Sequence, residues 1–388
     1  MMKISAPNRT SPVILYLVPE DWAFMSHRLQ MARAAKAAGY EVHVVTNVNA
    51  HGSAIESEGF RLHPVKWRRG SLNPFALIDI IRQVRKLYQV IAPDLTNQVT
   101  LQFAILGSLA AAGLPIVRLN LITGLGFLFA SPSLSARLLR PLVKRLIRYF
   151  FNQKGTAVLV QNIHDGHALR FMGVAAKQIF RIQGSGVDTS VLRALPEPDG
   201  PITVAFAGRL LDQKGIRTVI KAHELLDQRG SPVRFVIAGA PDHANPSSIP
   251  EAEIETWRRR PRMEILGHVA DIREVWKIAH IAVLPSRGGE GVPQSLIEAA
   301  ACGRSLIASD VPGCREIARP GLNAILLPTD DHAALAEAID RLARDPDLRR
   351  QFGIAGPRLV EAEFSSERIG REVLAVYDRL LNRTRECY

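Results

Sequence analysis

The sequence predicts an α/β protein of two domains, each built on a parallel sheet. Three observations carry that reading. Short apolar strand segments alternate with amphipathic helical ones from residue 13 onward, the rhythm of parallel α/β sheets. The chain is 388 residues long, more than one domain usually holds. A stretch that no regular element can occupy, Leu192 to Pro201 with Pro196, Pro198 and Pro201, interrupts the rhythm and reads as an interdomain linker. Domains over 1–190 and 191–365 follow, with 366–388 as a closing helical segment.

In the first half, strands are expected near 13–18, 41–46, 60–65, 94–98, 116–121, 157–161 and 179–182. Helices are expected between them near 26–38, 75–90, 101–112, 133–151 and 163–172, where apolar residues recur at helical spacing. The second half restarts the pattern with strands near 203–208, 233–239, 263–267, 281–284, 305–309 and 323–327. Its helices fall near 215–229, 251–260, 271–279, 293–302 and 332–344, and two more, 347–362 and 366–382, close the chain.

Hydrophobic residues make up 47% of the chain and charged residues 22%, which excludes a disordered chain. The formal charge of +12 is uneven: residues 1–185 hold 22 Lys and Arg against 8 acids, a net of +14, and the remainder is at −2. Such asymmetry points to a nucleic acid or an anionic membrane surface as partner. No nucleic-acid motif is present and aromatic residues are only 6%, which counts against the first. Cys302, Cys314 and Cys387 lack metal-ligand spacing, so a reducing cytoplasm fits better than a disulfide framework or a zinc site. His164 and His167 have no acidic or cysteine partner for a metal. The uncharged run from Val99 to Val117 is divided by Gly113-Leu-Pro115 and reads as buried core rather than a membrane span.

The densest chemical signal is Arg287-Gly-Gly-Glu-Gly-Val-Pro-Gln-Ser-Leu-Ile-Glu-Ala-Ala-Ala-Cys-Gly303, a strand end, a glycine-rich loop and a helix. Pro293 suits the first helical position and Gly303 the stop. The backbone of Gly291, Val292, Pro293 and Gln294 would then face the carboxyl edge of the sheet, where a helix N-terminus attracts phosphate. Glu290 in the loop and Glu298 two turns into the helix can grip different hydroxyls of one elongated ligand. A second signal, Ala205-Phe-Ala-Gly-Arg-Leu-Leu-Asp-Gln-Lys-Gly215, is again a strand running into a loop before a helix. Arg209 and Lys214 bracket that loop behind Gly208 and can reach one diphosphate, the first as a planar fork and the second as a point charge. Singly, each of these residues is an ordinary solvated side chain. Together they share one sheet edge, and a cation pair there stabilises a departing nucleotide without a metal.

The spacing of Glu290 and Glu298, followed by Ala-Cys-Gly303, Ala308-Ser-Asp310 and Gly313-Cys-Arg-Glu316, resembles the signature of family 4 retaining glycosyltransferases of the GT-B fold. Gly208-Arg-Leu-Leu-Asp-Gln-Lys-Gly215 is similar to that family's phosphate-binding loop, and Gly184-Ser-Gly-Val-Asp188 to the segment entering its C-terminal domain. Glu20-Asp-Trp22, Ser26-His-Arg28, Gly124-Leu-Gly-Phe127 and Leu284-Pro-Ser286 resemble bacterial members that extend lipid-linked glycans, N-acetylgalactosaminyl transferases among them. The resemblance implies two Rossmann-like doubly wound domains facing a cleft, with C-terminal helices packing back toward the N-terminal domain.

It also implies roles: Arg209 and Lys214 on the donor diphosphate, Glu290 on the donor sugar, Glu298 on the ribose, and backbone near His268 and Val269 at the base. The implied donor is a nucleotide sugar, UDP-linked, carrying a hexose or N-acetylhexosamine, and the implied chemistry retains the anomeric configuration without a metal or other cofactor. The implied acceptor is a polyprenyl-diphosphate-linked saccharide on the N-terminal domain, with His27 at the start of the first helix, Asp21, Thr123 and Gly124 as candidate contacts. Two departures stand out: Trp22-Ala-Phe-Met25 replaces the glycine pair many members have after the first strand, and Asn97-Gln98 and Gln102 stand where lipid-linked relatives often carry histidine and lysine. A GT-B epimerase or hydrolase of sugar nucleotides would share this donor site and stays an alternative. A dinucleotide oxidoreductase needs a G-x-G-x-x-G turn, and Val18-Pro-Glu-Asp-Trp22 is unlike one.

Residues 137–151 form a basic amphipathic stretch in which Arg137, Arg140, Lys144, Arg145 and Arg148 lie beside a broad Leu/Ile/Phe face. It suits either a helix lying on an anionic bilayer or an ordinary helix covering the sheet. The expected location is the cytoplasm, peripheral on the inner face of the cell membrane.

Overall fold

The computed structural model describes residues 11–67, 73–124, 134–289 and 291–382. Contacts divide the chain into one unit of Met1–Gly186 with Ser366–Tyr388 and a second of Val187–Ser365. The first unit runs β1 (Val13–Glu20), α1 (Asp21–His27), α2 (Leu29–Ala37), β2 (Glu41–Asn47), α3 (Gly52–Ser57), β3 (Arg61–Pro64), α4 (Pro74–Ile91), β4 (Leu95–Val99), α5 (Leu101–Ala110), β5 (Val117–Ile122), α6 (Leu134–Phe151), β6 (Thr156–Val160), α7 (Ile163–Phe171) and β7 (Ile179–Arg181). Its strands pair in the order β3-β2-β1-β4-β5-β6-β7, every pair parallel. The chain starts at mid-sheet, works outward to β3, then crosses to β4 and works outward the other way, which is the doubly wound topology.

Central strands of such a sheet are covered on both faces, so Val13 to Val18 are all buried. The uncharged run from Val99 divides as expected into α5, almost wholly buried, and β5. No helix among the described residues is long and apolar enough to cross a membrane. The single helix expected over 26–38 is instead two, broken at Arg28 (φ −123°, ψ −14°), so His27 ends α1 rather than starting a helix. Tertiary packing causes the break: Arg28 is only 1% exposed, turned inward beside Tyr16 and Tyr377, and burial draws its guanidinium down to about 10.

The second unit runs β8 (Thr203–Ala207), α8 (Ile216–Gln228), β9 (Arg234–Ala238), α9 (Glu251–Arg258), β10 (Met263–Gly267), α10 (Arg273–Ile278), β11 (Ile281–Leu284), α11 (Gln294–Ala301), β12 (Ser305–Ser309), α12 (Pro312–Ile317), β13 (Ala324–Leu327), α13 (His332–Arg344) and α14 (Pro346–Glu363). Strand order is β10-β9-β8-β11-β12-β13, again parallel throughout. The final helix, α15 (Ser366–Leu381), returns to the first unit: Ile369, Val373, Val376 and Tyr377 join its core, and the Tyr377 hydroxyl meets the Tyr16 hydroxyl at 2.9 Å and accepts from Asn97 Nδ2 at 3.0 Å.

The proline-rich segment behaves differently from a linker. Leu195 N–H donates to the Cys302 carbonyl at 3.2 Å, and the buried Arg304 donates to the carbonyls of Leu195 and Pro196 at 2.7 and 2.8 Å. Glu197 pairs with Arg349. These bonds fasten residues 195–197 onto the second unit, and the division between units falls earlier, at Gly186 and Val187. Prolines forbid a helix or a central strand there, but they do not forbid an extended segment whose carbonyls find partners.

Candidate active site

In an open doubly wound sheet, ligands bind outside the carboxyl ends of the strands where the strand order reverses. In the second unit that point lies between β8 and β11, paired at Val204 with Ile281 and Ala205 with Ala282. The loop leaving β8 carries Gly208, Arg209 and Lys214; the loop leaving β11 carries residues 285–289 and 291–293. The structure brings the two predicted motifs together at one edge. Arg287 N–H donates to the Gln213 carbonyl at 2.9 Å and Ser286 Oγ to the same oxygen at 3.2 Å. Arg287 also pairs with Asp212 and, through its Nε, with Asp330, while Asp212 accepts from Arg217 Nη1 at 2.7 Å. A charge ladder therefore ties the loops after β13, β11 and β8 to α8. Exposed pairs of this kind contribute little stability, so their consequence is position.

The backbones approach so closely that only glycine fits at two places. A Cβ on Gly215 (φ +75°) would lie 1.9 Å from the Pro285 carbonyl oxygen, and one on Gly239 (φ +153°) 1.8 Å from the Gly208 carbonyl oxygen. Lys214 closes a 3₁₀ turn over Asp212–Lys214 directly before Gly215, partly buried. Arg209 Nη1 donates to Asp242 Oδ2 at 2.6 Å. Asp242 belongs to the loop after β9, itself fastened by Asp242 N–H on Ser248 Oγ at 2.9 Å.

Helix α11 starts one residue later than expected: Pro293 is its N-cap (φ −66°, ψ 119°), not its first residue, and supplies no side-chain cap. The first-turn amides thus have no side-chain acceptor from Pro293, as an anion site requires. Gly291, Val292 and Pro293 are buried and Gln294 is partly so; Glu290 lies outside the described residues. Glu298 sits one turn beyond Gln294, partly buried. Burial pushes its carboxyl up to about 7, against the opposing effect of a hydrogen bond from the Gln294 side chain. His268 is exposed and Val269 packs on the core just past β10. They share the carboxyl edge two strands from β8, about 10 Å away by strand spacing.

In the first unit, the candidates divide. Asp21 is fully buried and its carboxylate accepts from the backbone N–H groups of Trp22, Asn49 and His51 at 2.7, 2.7 and 2.8 Å. Burial alone would raise its carboxyl; the amides of His51, Asn49 and Trp22 outweigh it and hold it below the usual range. Asp21 is thereby a fastener of the turn after β1. His27 is partly buried at the end of α1, and Thr123 and Gly124 (φ +127°) follow β5. Asn97 and Gln98 are core groups: Gln98 bonds Tyr88 at 3.2 Å and accepts from Ser108 at 3.2 Å on the opposite face from Asn97. Arg140 is partly buried, and Lys144, Arg145 and Arg148 are exposed on α6. Asp242 and Asp330 carry no signal in the sequence, because ion pairs between loops are set by tertiary contact; Arg287 and Asp212 stand in the two glycine-bearing motifs without a role.

Comparison with known proteins agrees with this geometry. A model described as "Glycosyl transferase 4-like" matches residues 13–162, and one described as "Glycosyl transferases group 1" matches residues 201–345. An N,N'-diacetylbacillosaminyl-diphospho-undecaprenol alpha-1,3-N-acetylgalactosaminyltransferase of Campylobacter jejuni is 25% identical over 92% of this chain and 98% of its own. An alpha-maltose-1-phosphate synthase of Mycolicibacterium smegmatis is 33% identical over 50% of this chain and 52% of its own. Among solved structures, sucrose-phosphate synthase from Thermosynechococcus elongatus superposes with a TM-score of 0.80 at 20% identity, covering 96% of this chain and 99% of that one. Anabaena HepE in complex with UDP-glucose superposes with a TM-score of 0.77 at 16% identity, covering 95% and 99%. Two doubly wound units, each matched by its own glycosyltransferase model, place this chain in the family 4 glycosyltransferases of the GT-B fold, as a hexosyltransferase.

Proposed function

We infer that this enzyme moves a hexose or N-acetylhexosamine from a UDP-sugar to a saccharide carried on a polyprenyl diphosphate, in bacterial surface polysaccharide or glycan synthesis. The observation that carries the donor half is the pair of loops at the β8/β11 edge, with Arg209 and Lys214 on one and the α11 N-terminus behind the other. Support for UDP comes from the Anabaena neighbour, solved with UDP and with UDP-glucose, and support for the acceptor class from the name of the Campylobacter relative. In this reading Arg209 and Lys214 hold the diphosphate beside the Gly208 backbone and the amides of Gly291, Val292 and Gln294. Glu290 holds the sugar, Glu298 the ribose, and backbone at His268 and Val269 the base. His27, Thr123 and Gly124 face the acceptor, with Asp21 framing their edge.

The acceptor hydroxyl attacks the anomeric carbon on the face the diphosphate leaves. The new carbon–oxygen bond forms as the old one breaks, and the acceptor proton passes to the departing phosphate oxygen, so configuration is retained. Fixed donors at the developing charge contribute on the order of 3 kcal/mol each. A panel of nucleotide sugars incubated with a polyprenyl-diphosphate sugar, read by mass and by the anomeric coupling of the product, tests this reading. No transfer from any donor sinks it, and hydrolysis or epimerisation of the nucleotide sugar alone supports the alternative chemistry. Because the cation pair supplies the charge a metal would bring, transfer is expected to survive EDTA; activity abolished by EDTA and restored by magnesium would overturn that.

Glu298 gives the donor site a pH signature. Ribose hydroxyls donate to the carboxylate, so binding favours the deprotonated form of a group poised at about 7. Below that value protons compete, and affinity for the UDP-sugar, whose esterified diphosphate has no group of its own titrating in this range, is expected to fall by up to about tenfold per pH unit as pH drops from 7 to 5. Glu298→Gln should bind more weakly at pH 8 and lose the dependence. A wild-type affinity flat across that window would remove Glu298 from the ribose.

A further inference from the structure

Helix α14 has one committed face and one open one. Inward, Phe352 and Val360 are buried, and a Cβ on Gly353 or Gly356 would lie 2.7 Å from the carbonyl oxygen of Gly303 or Ala300, so α14 lies backbone to backbone against the end of α11. Outward, Asp347, Gln351, Ile354, Arg358 and Glu361 are exposed, with Arg350 beside them. Steps of four and three residues put those five on one side of the helix, as the seam of a helix pair requires. Ile354 is the apolar centre of that stripe at 53% exposure, and Leu322, in the turn after α12, is 42% exposed. The two share an open groove of about 670 Å³.

The charges of this stripe are ordered along the helix. Its first turn carries Asp347, which holds Arg350 at 3.0 Å, while Arg358, three turns on, makes no ion pair among the described residues. In an antiparallel pair of identical helices related by a twofold axis, each residue meets the one at the same distance on the other side of the axis. With the axis level with Phe352 and Gly353, Asp347 meets Arg358 of the second copy, Gln351 meets Ile354 and Arg350 meets Ala355, and each contact forms twice. Moving the axis to Ile354 would set Arg350 against Arg358 and Asp347 against Glu361, and a parallel pair would set every charge against its own kind. Like charges thus exclude the alternatives and leave the first register.

We propose that the outward face of α14 is a docking surface for a second copy of this chain, the two α14 helices packing antiparallel with Ile354 and Leu322 near the axis and an Asp347–Arg358 pair at either end. A twofold dimer needs a patch complementary to itself, and here one helix supplies both halves. The 18 residues of α14 make a helix about 27 Å long and about 10 Å wide, a footprint on the order of 300 Å² on each copy. That is below the roughly 800 Å² per partner of a standard interface, so pairing is weak, with a dissociation constant on the order of tens of micromolar. Pairing through this face uses no residue of the donor loops, so it holds whatever sugar is transferred. Because α14 lies against α11, the second copy braces from behind the helix that carries Glu298.

The test is sedimentation velocity of the full chain from about 1 to about 200 µM, a range that brackets the expected dissociation constant. The sedimentation coefficient is expected to climb from the monomer's value toward the dimer's. Ile354→Arg, which puts a third cation at the apolar centre beside Arg350 and Arg358, should weaken pairing by at least about tenfold. Asp347→Arg and Arg358→Asp each turn both attractive pairs repulsive and should each weaken it by about tenfold. The double variant Asp347→Arg/Arg358→Asp should recover wild-type pairing. An equal mixture of the two single variants should form a heterodimer, because one chain then carries both cations of the seam and the other both carboxylates. Circular dichroism checks that every variant folds. Wild type that stays monomeric across the range, or a dimer that Ile354→Arg leaves intact, overturns the proposal. So does a double variant or a mixture that stays monomeric, since the register would then be wrong, and so does association that runs past the dimer, since a twofold patch closes on itself.

Discussion

Lys214→Ala is expected to lower kcat/KM for the nucleotide sugar by about two orders of magnitude, corresponding to ~3 kcal/mol of lost transition-state stabilisation. The residue ends the 3₁₀ turn that the Gly215–Pro285 approach pins against the loop after β11, so its backbone is held close to that loop. Charge on the leaving diphosphate grows as the anomeric bond breaks, so the loss should appear mainly in kcat, with UDP affinity falling as well. Glu298→Ala removes a contact present in ground and transition states alike and should raise donor KM more than it lowers kcat. Glu290→Ala should match the lysine variant in rate yet leave UDP affinity nearly intact, because free UDP carries no sugar for it to hold. Calorimetric titration of UDP against the three variants distinguishes them. A Glu290→Ala protein with a native circular dichroism spectrum that loses UDP affinity as badly as Lys214→Ala would remove the sugar from beside Glu290.

Much of this site is legible in the sequence because its parts are local. A strand, a glycine-bearing loop and a helix are specified within about ten residues by apolar runs, glycines and a proline, and parallel topology forces successive loops of this kind onto the same sheet edge. What sequence could not supply is whatever depends on a partner distant in the chain. Arg209 reads as a bare cation beside the donor, yet it is held by Asp242 on the loop after β9, and nothing near either residue announces the pair. Asp21 reads as a site carboxylate because it follows the first strand; three backbone amides, two of them from residues 49 and 51, claim it instead. In α6 the periodicity reported an apolar face correctly but not which surface that face covers, and the leucines that matter to solvent lie on the other side. The proline-rich segment reads as a linker because composition reports the absence of regular structure, whereas the carbonyls that Arg304 collects decide where the segment lies.

Gly215→Ala is expected to damage the enzyme in two separable ways. The first is conformational: at φ +75° an alanine pays about 1 kcal/mol or more for the left-handed backbone. The second is steric and specific to this place, since the new Cβ would lie 1.9 Å from the Pro285 carbonyl oxygen and 2.6 Å from its carbonyl carbon, both backbone atoms that cannot swing aside. The loops after β8 and β11 must therefore part, at a further cost of about 1–3 kcal/mol. Together these should lower Tm by roughly 5–15 °C for a unit of this size. Parting the loops also moves Lys214 away from the α11 N-terminus, and a displacement of about 1 Å in a positioned group costs on the order of a hundredfold in rate. Gly230→Ala separates the two effects, because Gly230 has φ +70° with no atom within 4 Å of its Cβ position. That variant should show the small conformational loss of Tm and wild-type kcat/KM. If Gly215→Ala matches Gly230→Ala in both Tm and kcat/KM, the close approach of the two loops is not what sets the geometry of the donor site.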